Sequence, residues 1–151
     1  MPKIILDARN LPSPINLQEL VAGMQTLPVE INMIVDQNLG KMGKVQIISQ
    51  SSLPEDVLEN KDIYISLNPN LPVNELKLIS QKGLVPLLHS NFQSLGFAPF
   101  MAVEEAGNSF LFENWNNWEV FAALVRCLEN YQFPYDWSNI VTAVKNLEIE
   151  I

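Results

Sequence analysis

The chain has 151 residues, which is enough for one ordinary domain to bury about two thirds of its unfolded surface without a disulfide or a metal. Its formal net charge of −8, from 17 acidic and 9 basic residues, argues against nucleic acid and anionic membrane surfaces as partners. A single histidine and a single cysteine offer no metal-ligand spacing.

No apolar run approaches the ~18 residues of a membrane span, and the N-terminus does not read as a signal peptide. The only cysteine, Cys127, lies in an apolar helical segment, so a buried structural thiol is favoured over a nucleophile. We therefore expect one domain over residues 1–151, located in the cytoplasm and not inserted in a membrane.

Short apolar runs with the composition of buried strands alternate with segments of helical periodicity. Strands are predicted at residues 3–6, 29–35, 45–48, 63–67, 84–88 and 109–112. Helices are predicted at residues 15–27, 73–82, 115–131 and 137–147, with a brief one that begins near 51–55 and ends near 60. This alternation predicts an α/β fold of three layers, a Rossmann-like parallel sheet with helices on both faces.

Local signals mark several ends of these elements. Asn16 is placed to cap the first helix, and Gly83 is a stop signal for the helix that begins at residue 73. The periodicity of the helix at 115–131 predicts that Trp118 lies on its inward face. Residues 89–106 lack a regular pattern, and a connection of this length is typical of a functional or packed loop.

Polar residues at the strand ends are the candidate ligand-binding groups, because open parallel sheets bind ligands at the carboxyl ends of their strands. Arg9 follows the first strand, and either binds an anion or pairs with Asp7 or Asp36. His89 follows another predicted strand, where it is either a ligand group or general base or a loop histidine bonded to the backbone. Asp62 has no second carboxylate fixed beside it, so a polar strand-end role is favoured over catalysis.

Three motifs carry a resemblance to a known family. Asp62–Ser66 reads DIYIS, Gly83–Pro86 reads GLVP, and Gly107–Asn114 reads GNSFLFEN. In this order they resemble the C-terminal, nucleotide-sugar-binding half of the GT-B glycosyltransferases, with the closest likeness to glycogen and starch synthases. The resemblance covers residues 55–147 and implies the fold of that half.

The sequence departs from the family pattern at the positions that bind the nucleotide-sugar donor. The two glutamates of the family correspond to Asn70 and Leu78, and its glycine-rich turn corresponds to residues 89–92, which contain no glycine. Arg9 corresponds to the diphosphate-binding arginine, but its partner lysine has no match in residues 11–16. The resemblance therefore implies no catalytic residue, and we expect the chain alone not to transfer sugars. The ligand-binding positions that it implies are Arg9, Asp62, Asn70, His89 and Ser90.

A second resemblance competes in the first third of the chain. Residues 6–14, LDARNLPSP, resemble the signature of small sulfur-carrier proteins of the TusA type, with Ser13 in place of their cysteine. A hydroxyl group cannot carry a persulfide, so this kinship would leave no carrier chemistry.

Two function classes follow from the resemblance to glycosyltransferases. The first, which we favour, is a non-catalytic domain that binds another protein or a second copy of itself. The second is the donor-binding subunit of a split glycosyltransferase, completed by a separate acceptor half. No cofactor is expected in either class, and a nucleotide sugar is the candidate ligand.

Overall fold

The computed structural model describes residues 1–150, which form six β-strands and four α-helices. The strands are β1 (Lys3–Asp7), β2 (Glu30–Val35), β3 (Gln46–Ser49), β4 (Ile63–Ser66), β5 (Val85–His89) and β6 (Phe110–Phe112). The helices are α1 (Leu17–Met24), α2 (Val73–Lys82), α3 (Asn117–Tyr131) and α4 (Pro134–Lys145). Short 3-10 helices occupy Glu55–Leu58, Ser90–Leu95 and Ala102–Glu104. No helix within residues 1–150 is long and apolar enough to cross a bilayer.

All six strands belong to one sheet in the order β3-β2-β1-β4-β5-β6, and every neighbouring pair is parallel. β1 is central, with Ile4 opposite Ile31 of β2 on one side and Ile63 of β4 on the other. The chain adds strands in one direction from β1 to β3 and in the other from β4 to β6. The carboxyl ends of β1 and β4 therefore flank the topological switch point, where open α/β sheets bind ligands.

Apolar side chains cover both faces of the sheet. On one face Ile4 and Leu6 of β1 pack in a core with residues of α1, α3 and α4. On the other face Ile5 and Tyr64 pack with α2 and the 3-10 helix at Glu55–Leu58. Because successive strand residues point to opposite faces, nearly continuous apolar strands serve both cores. The predicted three-layer Rossmann-like fold is confirmed.

Two predicted helix ends are confirmed by their capping geometry. The Asn16 side chain accepts a hydrogen bond from the backbone N of Glu19 at 3.2 Å and caps α1. Gly83 ends α2 in the left-handed region at φ 78°, a conformation that suits glycine because it has no Cβ.

Other boundaries differ from the prediction for local reasons. α3 begins at Asn117 rather than at 115, because the Asn116 side chain caps it by accepting from the backbone N of Glu119 at 2.9 Å. α4 begins at Pro134 rather than at 137, since proline suits a first turn. The brief helix predicted near residues 51–60 is the 3-10 helix Glu55–Leu58. The segment 89–106 contains the other two 3-10 helices rather than an irregular loop.

The predicted inward position of Trp118 on α3 is wrong. Trp118 is 76% exposed, whereas the side chains buried against the sheet are those of Val120, Ala123, Leu124 and Cys127. These four also recur at helical spacing, and their small or medium size lets the helix axis approach the strands closely. Phe121 and Leu128 of α3 are partly buried beside this stripe.

Candidate functional site

The loops that leave β1, β2 and β4 are tied together at the carboxyl edge of the sheet. Asn10, at φ 53°, donates from Nδ2 to Oδ1 of Asn68 at 3.2 Å. The same Asn68 oxygen accepts from the backbone N of Asn70 at 2.9 Å, and the backbone N of Asn10 donates to Oδ2 of Asp36 at 3.0 Å. These groups satisfy one another, so the loops at the switch point have a fixed geometry.

The guanidinium of Arg9 is enclosed at this edge by the protein itself. Its Nε donates to Oδ1 of Asp7 at 2.8 Å, and its Nη2 donates to Oδ2 of Asp7 at 2.6 Å. Nη2 also donates to Oε1 of Glu75 at 2.7 Å, and Nη1 donates to the carbonyl oxygen of Ser51 at 3.1 Å. Arg9 is only 3% exposed and Asp7 is fully buried. Of the alternatives weighed for Arg9, the structure shows the pair with Asp7.

The hydroxyl group of Tyr64 completes this network by donating to Oδ2 of Asp7. We call Asp7, Arg9, Tyr64 and Glu75 the Arg9 cluster. Hydrogen bonding to Asp7, with a further contribution from Glu75, raises the pKa of the Arg9 guanidinium although burial opposes the charge. Burial, followed by the negative charge of Asp7, raises the pKa of Tyr64 well above its ordinary value. The cluster holds one cation against two carboxylates.

The strand order explains why these side chains meet. Asp7 is the last residue of β1, and Tyr64 lies on the adjacent β4, opposite Ile5. Both Ile5 and Tyr64 point to the face that α2 covers. Glu75 lies in the first turn of α2, where a carboxylate is favoured by the helix dipole.

His89 is held at the end of β5 by its backbone and by aromatic neighbours. Its Nδ1 accepts from the backbone N of Asn91 at 3.0 Å, so the neutral ring carries its proton on Nε2. The ring stacks on Trp115 at a centroid distance of 4.8 Å and meets Phe112 edge-on at 5.6 Å. His89 is 7% exposed, and Ser90 beside it begins the next 3-10 helix in a half-buried position. The alternative of a histidine bonded to the backbone is the one observed.

The structure brings together only part of the expected ligand-binding set. Arg9, Asn70 and Ser90 follow the carboxyl ends of strands and His89 is the last residue of one, and Asn70 is exposed. Asp62 instead precedes β4 at the amino edge, where its Oδ2 accepts from the backbone N of Lys3 at 2.8 Å. Because all strands are parallel, Asp62 lies at the opposite edge from the other four.

The sequence pattern does not predict that Tyr64, Asn68 and Glu75 belong to this site. Tyr64 lies in a strand predicted to be buried, and a buried tyrosine requires a partner for its hydroxyl group. This pattern indicates a polar group near β4. Glu75 gave no local signal, because it is 66 positions from Arg9.

No three His, Cys, Asp or Glu side chains converge as a metal site in the part of the chain that the structure describes. Burial raises the pKa of the Cys127 thiol, which fits a structural role. Two open depressions, of about 610 Å³ beside Glu30 and Lys44 and about 380 Å³ beside Ser13 and Asn16, lie outside the Arg9 cluster.

A six-stranded parallel sheet in this order, with a polar cluster at its switch point, defines a Rossmann-like domain. Neither a family model nor a curated protein sequence matches the chain.

Solved structures show the likeness to GT-B glycosyltransferases directly. The catalytic domain of starch synthase IV from Arabidopsis thaliana, bound to ADP and acarbose, matches 98% of this chain with a TM-score of 0.73 and 12% identity. OtsA in its apo form matches 98% of the chain with a TM-score of 0.54 and 13% identity. The chain spans 35% and 41% of these two chains. The resemblance to GT-B glycosyltransferases is therefore confirmed at the level of the fold. The matches include the first third of the chain, for which the sulfur-carrier resemblance was the alternative.

Proposed function

We propose that this chain is a non-catalytic, GT-B-like domain of the cytoplasm that acts by binding another protein. The observation that carries the proposal is the enclosure of Arg9. All three of its side-chain nitrogens donate to Asp7, Glu75 or Ser51, so four of the five N–H groups of the guanidinium are already used by the protein. A diphosphate would have to displace a carboxylate from a cluster with excess negative charge, which opposes its binding.

The positions that correspond to the two donor-gripping glutamates support the same proposal. Asn70 is exposed and carries no charge, and Leu78 is a half-buried side chain packed at the margin of the α2 core. Leucine accepts no hydrogen bond and stabilises no developing cation. Preorganised charged and polar groups of this kind stabilise the transition state, and that stabilisation is lost where they are absent.

Exposed aromatic side chains support a role in protein binding. Trp118, Phe133 and Tyr135 are 76%, 59% and 65% exposed. Large aromatic side chains are the groups that dominate the binding energy of protein interfaces. They are available on α3, on α4 and on the turn between these helices.

Calorimetric titration with ADP-glucose, UDP-glucose and their nucleoside diphosphates tests the proposal. We expect no heat at millimolar ligand. Micromolar binding that Arg9→Ala abolishes would overturn it, provided that Arg126→Ala, a change at an exposed arginine, leaves that binding intact. Light scattering at high concentration tests self-association. A monomeric mass would count against a second copy of the chain as the partner.

The donor-binding subunit of a split glycosyltransferase is the second candidate. It is favoured by the position of Asn70, His89 and Ser90 at the ligand edge of the sheet. The same titration decides between the two candidates, because only a donor-binding subunit retains affinity for a nucleotide sugar.

A further inference from the structure

The carboxylate of Glu75 occupies a niche of hydrogen-bond donors. Its Oε1 accepts from Arg9 Nη2 at 2.7 Å, and its Oε2 accepts from the backbone N of Leu53 at 3.3 Å. The niche lies at the first turn of α2, where the N-cap residue Pro72 contributes no side-chain hydrogen bond. Glu75 is the more accessible partner, with 12% of its side chain exposed against 3% for Arg9.

The donors of this niche suit an oxyanion. A guanidinium and a backbone N–H both donate along fixed directions to negatively charged oxygens, and the first turn of a helix favours negative charge. Without Glu75, the positive charge of Arg9 would be balanced by Asp7 alone. The niche would then no longer carry the excess negative charge that repels phosphate.

We propose that Glu75 is a built-in substitute for a small oxyanion, and that it masks a phosphate-sized binding site formed by Arg9, the backbone N of Leu53 and the first turn of α2. The inference rests on the proposed function, because it states why Arg9 does not serve an external ligand. A carboxylate on the same chain competes at a high effective concentration, so millimolar phosphate does not displace it.

The test is the thermal unfolding of Glu75→Ala as sodium phosphate is raised, with sodium chloride keeping the ionic strength constant. A ligand that binds the folded state alone raises the unfolding midpoint by about 3–6 °C at ten times its dissociation constant. We expect this saturable rise in Glu75→Ala and none in the native protein. Glu59→Ala is the matched control, since it also removes a carboxylate that holds a cation, Lys82, but at an exposed site.

Arg9→Gln added to Glu75→Ala is expected to abolish the response to phosphate. A folded Glu75→Ala protein whose midpoint is the same in phosphate and chloride would overturn the inference, as would an equal rise in Glu59→Ala. If Glu75→Ala is unfolded in chloride, phosphate should restore its fold, and Glu75→Ser should show the same rescue. Failure of rescue in both variants would also contradict the masked site.

The two proposals fail in different ways. Nucleotide-sugar binding by the native protein, lost in Arg9→Ala, would contradict the proposed function and the mask together. If the native protein binds no nucleotide and Glu75→Ala binds no phosphate, the masked site is contradicted and the proposed function is not.

Discussion

The imidazole ring of His89 lies on the indole of Trp115, with their planes 12° from parallel and their centroids 4.8 Å apart. This stack joins the end of β5 to the segment before α3. The same imidazole caps the 3-10 helix Ser90–Leu95 through its Nδ1. One side chain therefore links the end of β5, the 3-10 helix that follows it and the segment before α3.

Removal of the His89 ring should lower the free energy of unfolding by about 1–3 kcal/mol, because the cap and the stack are both lost. His89→Asn retains a side-chain oxygen that can accept from the backbone N of Asn91, so its loss should be smaller than that of His89→Ala. Urea unfolding followed by tryptophan fluorescence measures both values. Equal losses in the two variants would mean that the cap contributes nothing.

Tyr64 should make the protein sensitive to alkaline pH. The pKa of its hydroxyl group is raised well above the ordinary value of 10.0, so above that pH the unfolded chain loses the proton and the folded chain keeps it. The folded state then binds more protons, and its stability falls as the pH rises. Tyr64→Phe should cost about 1.5–3 kcal/mol at neutral pH through the lost hydrogen bond to Asp7, and this difference should shrink above pH 10.

Urea unfolding of both proteins at neutral and alkaline pH measures that difference. Tyr135→Phe is the control, since Tyr135 is 65% exposed and its loss should leave the pH dependence unchanged. A difference between Tyr64→Phe and native protein that stays constant with pH would contradict the prediction.

Gly107→Ala should destabilise the protein far more than Gly40→Ala. Both glycines have positive φ, 114° and 75°, so a side chain at either position strains the backbone by about 1–2 kcal/mol. A Cβ at Gly107 would also lie 2.4 Å from the carbonyl oxygen of Pro99, whereas nothing lies within 4 Å of one at Gly40. Thermal unfolding of the two variants measures the contrast, and similar midpoints would show that the 99–107 loop yields without cost.

Cys127 should be inert in the folded protein. Its side chain is fully buried in α3, and burial raises its pKa, so little thiolate forms and no reagent reaches it. A disulfide reagent such as Ellman's should react at least about a thousand-fold more slowly in native buffer than in denaturant. Ser138→Cys, at an exposed position of α4, provides the fast-reacting control. Rapid loss of both thiols in native buffer would contradict the burial.

The fold was predictable because its signals are local. Apolar runs bounded by turn residues predict β1, β4 and β5, and single residues such as Asn16 and Gly83 predict helix ends. The order of the strands carries no such signal, because it depends on which crossovers the whole chain permits.

The Arg9 cluster shows the limit of prediction at the site. Arg9 and Asp7 are neighbours in sequence, so their pairing could be weighed beforehand, whereas Glu75 reaches Arg9 only after β1 and β4 have paired and α2 has packed on the sheet. The family motif predicts Asp62 among the ligand-binding residues, but Asp62 precedes its strand and therefore lies at the amino edge. The hydrophobic pattern predicts Trp118 on the inward face because hydrophobicity alone does not show which side of α3 packs against the sheet.

The central position of β1 has a consequence for biosynthesis. β1 leaves the ribosome before the other strands of the sheet, and it can pair with β2 once residue 35 has emerged. Its other edge stays unpaired until β4 emerges with residue 66. An apolar strand with an open edge is a template for association with other chains. The nascent protein should therefore be most prone to aggregate while residues 36–66 are being made, and a chain truncated before β4 should be insoluble.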